Sequence, residues 1–178
     1  LTKTNMLHHP RIEIQEWGGD TITHVVATES ANTLYSSPEL AFSKNTVNYF
    51  RKLGIGSGGT WIGPVVIDTC RFNAIPTITA SRVSPKVAVA YCAYSPTGEL
   101  YLQRNDVDIW YRSSDSIGLS WSPPVNITQY PRSAASYSAF TEVKCLYDLG
   151  GFLHVVWYAR PIPRDVYDSA NFFWDDLQ

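Results

Sequence analysis

The feature that most constrains this chain is that it repeats itself. Three short runs are alike: Thr23-His24-Val25-Val26-Ala27, Val87-Ala88-Val89-Ala90-Tyr91 and Leu153-His154-Val155-Val156-Trp157. With His24, Ala88 and His154 in register, the spacings are 64 and 66 residues. Each run is apolar and rich in β-branched or aromatic residues, as a strand buried on both faces would be. A second element follows: Val47-Asn48-Tyr49-Phe50-Arg51 matches Asp108-Ile109-Trp110-Tyr111-Arg112, and Ala170-Asn171-Phe172-Phe173-Trp174 reads as a truncated third copy. A glycine turn comes next, with Gly58-Gly59-Thr60-Trp61 matching Gly118-Leu119-Ser120-Trp121, the tryptophans 60 apart. Pro64-Val65-Val66-Ile67 and Pro124-Val125-Asn126-Ile127 supply a further strand. Ile75–Ala80 and Ser138–Val143 then lead into the following copy.

One unit therefore holds four short strands, with antiparallel hairpins expected at about 52–61 and 113–121. The segment Ser36–Ser43 is the one place that allows a helical turn, and Pro161–Asp168, with two prolines, reads as a loop. A four-stranded unit cannot bury both its faces alone, and stacking units face to face solves the problem. A closed β-propeller takes about four to eight such blades. At a repeat near 64, a chain of 178 residues holds roughly 2.5–3. The expected fold is all-β, a single region over 1–178 with units at about 20–80, 81–145 and a truncated 146–178. It is an incomplete propeller or fragment, an open stack, or a sandwich. Leu1 and Gln178 read as cut ends, so the rest of a longer polypeptide or other copies of the chain are the expected partners.

Composition narrows the function classes. Aromatics reach 13%, with 6 Trp and 11 Tyr, a mix that fills pleated surfaces and offers faces on which sugars stack. The net charge of −2 supplies no basic stripe for nucleic acid. No apolar run is long enough for a membrane span. Cys70, Cys92 and Cys145 fit no zinc spacing; one disulfide with one thiol left over, or none, is open, and three small buried residues is the simpler reading. Asn126-Ile127-Thr128 is a glycosylation sequon. His8 and His9 read as a mobile terminus rather than a metal site. No cofactor and no metal is expected.

The most specific stretch is Tyr111-Arg112-Ser113-Ser114-Asp115-Ser116-Ile117-Gly118-Leu119-Ser120-Trp121. It resembles the Asp-box, Ser-x-Asp-x-Gly-x-Thr-Trp, of the sialidase-like BNR-repeat β-propeller family. In that family the box is a turn between the third and fourth strands of a blade. The resemblance gives Ser113 and Asp115 the turn amides, Gly118 a positive φ, and Ser120 and Trp121 the packing beneath. The interval from Asp115 to Gly118 is one residue too long for the pattern. Gly58, Thr60 and Trp61 are what remains of a degenerate box, with Trp61 expected to pack as Trp121 does.

Asp-boxes are structural. Sialidases act through three arginines that grip the substrate carboxylate, an acidic acid/base and a Tyr nucleophile paired with a Glu. Their Phe/Tyr-Arg-Ile-Pro start is missing; Phe50-Arg51-Lys52-Leu53 and Arg160-Pro161-Ile162-Pro163 are distant echoes. Arg51 and Arg160 are thus the candidate ligand contacts, although Arg51 and Arg112 share a repeat position, which favours a structural role. Tyr137, Tyr147, Tyr158, Tyr167 and Glu142 are available, yet none stands out as a nucleophile, and the catalytic set is unknown. The resemblance implies a secreted or cell-surface module that serves as a binding or structural scaffold, with glycans as possible ligands. The alternative is part of a sialidase-like exo-glycosidase.

Overall fold

The computed structural model describes residues 6–30, 45–54, 58–70, 75–94, 107–130 and 137–161. The expected helical turn at Ser36–Ser43, the third-copy strand at Ala170–Trp174 and most of the Pro161–Asp168 loop lie outside them. The described residues form ten strands and no helix. These are β1 (Met6–Trp17), β2 (Asp20–Ser30), β3 (Asn45–Leu53), β4 (Trp61–Cys70), β5 (Thr77–Ala80), β6 (Val87–Tyr94), β7 (Val107–Ser114), β8 (Val125–Asn126), β9 (Tyr137–Tyr147) and β10 (Leu153–Pro161). They pair in chain order as two four-stranded antiparallel sheets, β1-β2-β3-β4 and β5-β6-β7-β8, and a two-stranded sheet of β9 and β10.

Local chemistry explains the joints. Gly18 and Gly19 both take positive φ (64° and 87°), which suits the twist of the two-residue turn that pairs Trp17 with Asp20. The expected hairpins appear as the β3–β4 pair, with Lys52 opposite Trp61, and as the turn between β7 and β8. His8 and His9, expected in a mobile terminus, lie inside β1. His9 takes a positive φ (51°) where the register with β2 shifts.

The sheets stack face to face. Between the first and second lie Val26, Val47, Tyr49 and Ile67 against Ile78, Val87, Val89 and Tyr91. Between the second and third lie Ala90, Cys92, Val107 and Ile109 against Ala139 and Val143, with Cys145 and Val155 packed alongside. β6 therefore buries alternate residues against both neighbours, which is why Val87–Ala93 is apolar without alternation. Cys92 is fully buried in this second core, and burial pushes the Cys145 thiol up to about 12.

Candidate functional site

The two ends of the strands differ in what their polar groups do. At one end, the turn after β7 is clamped onto the first sheet. Within the turn, the hydroxyl of Ser114 accepts the amides of Ser116 (3.2 Å) and Gly118 (2.9 Å). The hydroxyl of Ser116 accepts the amide of Ser120 (3.1 Å). Asp115 is exposed, and its charge adds to the burial that pushes the Tyr147 hydroxyl up to about 12. The amide-holding work expected of Ser113 and Asp115 thus falls to Ser114 and Ser116, one residue further along each time. In that frame the turn reads Ser114-x-Ser116-x-Gly118-x-Ser120-Trp121, and the surplus residue before Gly118 disappears. The amide of Ser113 instead donates to Ser122 Oγ across the base of the turn (3.0 Å).

Gly118 has φ +82° and lies against the Tyr49 hydroxyl, where a Cβ would collide. Trp121 meets the Tyr49 ring edge-on, centroids 4.9 Å apart. Behind Tyr49 runs a buried polar chain. Gln15 Nε2 donates to the carbonyls of Ser81 (2.8 Å) and Ser84 (3.0 Å), so its Oε1 faces His24 Nε2 (3.1 Å). That oxygen only accepts, so Nε2 carries the proton, and Nδ1 accepts from the Tyr49 hydroxyl at 2.7 Å. Burial, helped by the Arg51 charge, lowers the His24 pKa to about 4, and burial raises that of Tyr49 above the ordinary phenol value.

Both arginines at the shared repeat position are spent on this seam. Arg51 is buried and donates to the Ile117 carbonyl (3.4 Å). Arg112 donates to the carbonyls of Ser122 and, across the seam, Ile67. Arg160 lies on β10 opposite Ser138. In the other turn, Gly58 and Thr60 are exposed and Trp61 is 53% exposed, its ring facing the Lys52 ammonium 6.0 Å from the centroid. Trp61 therefore does not pack as Trp121 does: among the described residues no neighbouring sheet lies over that turn.

The other end of the strands carries polar groups of a different kind. Asp108 Oδ1 accepts from the Thr128 hydroxyl (2.6 Å) and the Tyr130 amide (3.1 Å), and Oδ2 accepts from Asn126 Nδ2 (2.7 Å). The sequon is thus folded onto Asp108. This fixes Tyr130, whose hydroxyl accepts from Trp157 Nε1 (2.8 Å) and whose ring lies 6.4 Å from that of Tyr137. Tyr130, Tyr137 and Trp157 form an aromatic cluster with Tyr137 and Trp157 open to solvent. Further along the same end, Asn48 donates to Glu29 (2.7 Å) and the Tyr91 hydroxyl donates to Asp68 (2.5 Å). Tyr91 is fully buried, so this phenol–carboxylate pair joins two sheets and offers no reachable nucleophile. The cluster was not found from sequence because its three aromatics come from different strands and loops. The only signal was the sequon beside Asp108.

Among the described residues no group of three or more His, Cys, Asp or Glu gathers to hold a metal ion. Nor is any helix long and apolar enough to cross a membrane.

The class defined by this architecture is an all-β protein of stacked antiparallel four-stranded sheets. No protein-family model matches the chain, and no curated protein matches it in sequence. Among solved structures it is similar to one titled "Hadza microbial sialidase Hz136", at 15% identity and a TM-score of 0.49, over 89% of this chain and 33% of that one. The chain thus spans about a third of that sialidase's length. The likeness is distant and concerns β-architecture.

Proposed function

We propose that this chain is a propeller-type scaffold module that binds carbohydrate through the cluster of Tyr130, Tyr137 and Trp157. The observation that carries the reading is the cluster itself. Of its two solvent-open aromatics, Trp157 is held by a hydrogen bond to Tyr130, which Asp108 braces, and Tyr137 lies beside the Tyr130 ring. Aromatic rings fixed in place lose little entropy on binding, and their faces suit the C–H faces of a sugar ring. The opposite end supports a scaffold over a glycosidase, because Arg51 and Arg112 point their guanidinium groups at backbone carbonyls. An extracellular setting is part of this reading, since glycans are met there.

A glycan array followed by calorimetry tests it. The wild-type chain is expected to retain a subset of glycans. Tyr137→Ala should weaken that binding about tenfold or more, equal to about 1.4 kcal/mol or more, while the unfolding midpoint stays in place. A fluorogenic sialoside should release no sialic acid. Turnover by this chain, or glycan binding untouched by both Tyr137→Ala and Trp157→Ala, would reverse the proposal.

A further inference from the structure

The one glycosylation sequon in the sequence, Asn126-Ile127-Thr128, is taken up by the fold at every residue. Asn126 ends β8 and lies opposite Trp110 of β7. Its Nδ2, the atom that would take a sugar, donates to Asp108 Oδ2 at 2.7 Å. Its Oδ1 accepts the amides of Thr128 (3.1 Å) and Gln129 (3.0 Å). Ile127 packs against the core between the second and third sheets, and its amide donates to the Ile109 carbonyl (2.8 Å). The Thr128 hydroxyl donates to Asp108 Oδ1 (2.6 Å) and accepts the Ile109 amide (3.1 Å). Asp108 is itself buried, so breaking these bonds would leave a buried carboxylate short of its partners. A sequon is defined by its Asn and its hydroxyl together, and an acceptor sequon belongs on a surface loop. This one is instead a strand end pinned at three successive residues.

We infer that folding and N-glycosylation compete for Asn126: the nascent chain offers the sequon as an acceptor, and the folded chain withholds it through the Asp108 clasp. The donor is an oligosaccharide carried on a lipid diphosphate. In the transfer a bond forms between Nδ2 and C1 of the first sugar, and the C1–O bond to the diphosphate breaks. The lipid diphosphate leaves, and Nδ2 gives up one proton. To enter a transferase, the tripeptide must leave Asp108, draw Ile127 out of the core and part from β7. A reaction of this kind runs in proportion to the population that is open, which is large in the nascent chain and small in the folded one. The inference shares only the extracellular setting with the carbohydrate-binding reading and requires no sugar at the aromatic cluster.

Glycosylation of the whole chain in two states tests it. In one arm the chain, behind a secretory leader, is translated in the presence of microsomes. In the other, the purified folded chain is incubated with solubilised microsomes and a lipid-linked oligosaccharide. Because the sequence has one sequon, an endoglycosidase-sensitive gain in mass reports on Asn126, and Asn126→Gln should abolish it. The nascent chain should take the glycan. The folded wild type should take it at least about tenfold more slowly than folded Asp108→Ala, in which the clasp is open. Ile127→Ala, which keeps the sequon and loosens its anchor in the core, serves if Asp108→Ala does not fold. A folded wild type modified as fast as these variants would overturn the inference, as would a nascent chain left unmodified. Retention of glycans by the aromatic cluster is read separately on the array, so each claim can fail while the other stands.

Discussion

Gly118 is the residue on which the most geometry converges. Its φ of +82° strains any side chain, and Tyr49 occupies the space a Cβ would need. Gly118→Ala should cost roughly 2–4 kcal/mol, combining a strained backbone with overpacking. Ser114→Ala should cost about 1–2 kcal/mol, since two turn amides lose their acceptor. Asp115→Ala, at an exposed position, should stay within about 0.5 kcal/mol. Urea unfolding of the three variants checks the order, and a costly Asp115→Ala would return the turn to the frame first read from sequence. His24 makes a second prediction. Its pKa is about 4 in the fold against 6.5 for a free histidine, so the unfolded chain binds a proton that the folded chain refuses. Stability from neutral His24 is complete above about pH 6.5 and is lost as pH falls toward 4, by roughly 2–3 kcal/mol. His24→Asn should flatten that part of the stability profile. A wild-type profile already flat between those values would show that His24 is not held neutral.

At the scale of elements, the two box-like turns have the same glycine and tryptophan spacing and different fates. The turn after β7 has the first sheet beside it, so Trp121 packs on Tyr49. The turn after β3 has no sheet beside it among the described residues, and Trp61 stays half open. Trp121→Ala should cost roughly 3–5 kcal/mol and Trp61→Ala under about 1, measured by thermal or denaturant unfolding. Equal costs would mean that the turns are equivalent after all. This contrast shows what the sequence could and could not disclose. The runs at Thr23–Ala27, Val87–Tyr91 and Leu153–Trp157 were legible as strands because each is apolar and β-branched, although only Val87–Tyr91 is buried on both faces and Val156 is exposed. Packing depends on neighbours, which a local pattern does not carry, so Trp61 looked like Trp121. The box was misframed by one residue for a related reason. Asp115 drew the pattern to itself, while Ser116 does the same hydrogen bonding with a hydroxyl. The aromatic cluster was invisible because Tyr130, Tyr137 and Trp157 meet only through tertiary folding.

At the scale of the whole molecule, the account is of an open stack whose first seam is locked by polar groups as well as by apolar packing. Gln15 and Arg51 of the first sheet donate to backbone carbonyls of the second, and His24 ties Gln15 to Tyr49, whose ring packs against Trp121 of the second. The third sheet is joined mainly through its apolar inner face, and Leu146 and Val156 on its other face are exposed. Residue-resolved amide hydrogen exchange tests this most directly. The account predicts that β2, β3, β6 and β7 open together, with one free energy and one denaturant slope, and that β10 opens earlier. If β2 and β3 opened independently of β6 and β7, the first two sheets would be separate units, and the seam through His24 and Tyr49 would not be what holds this molecule together.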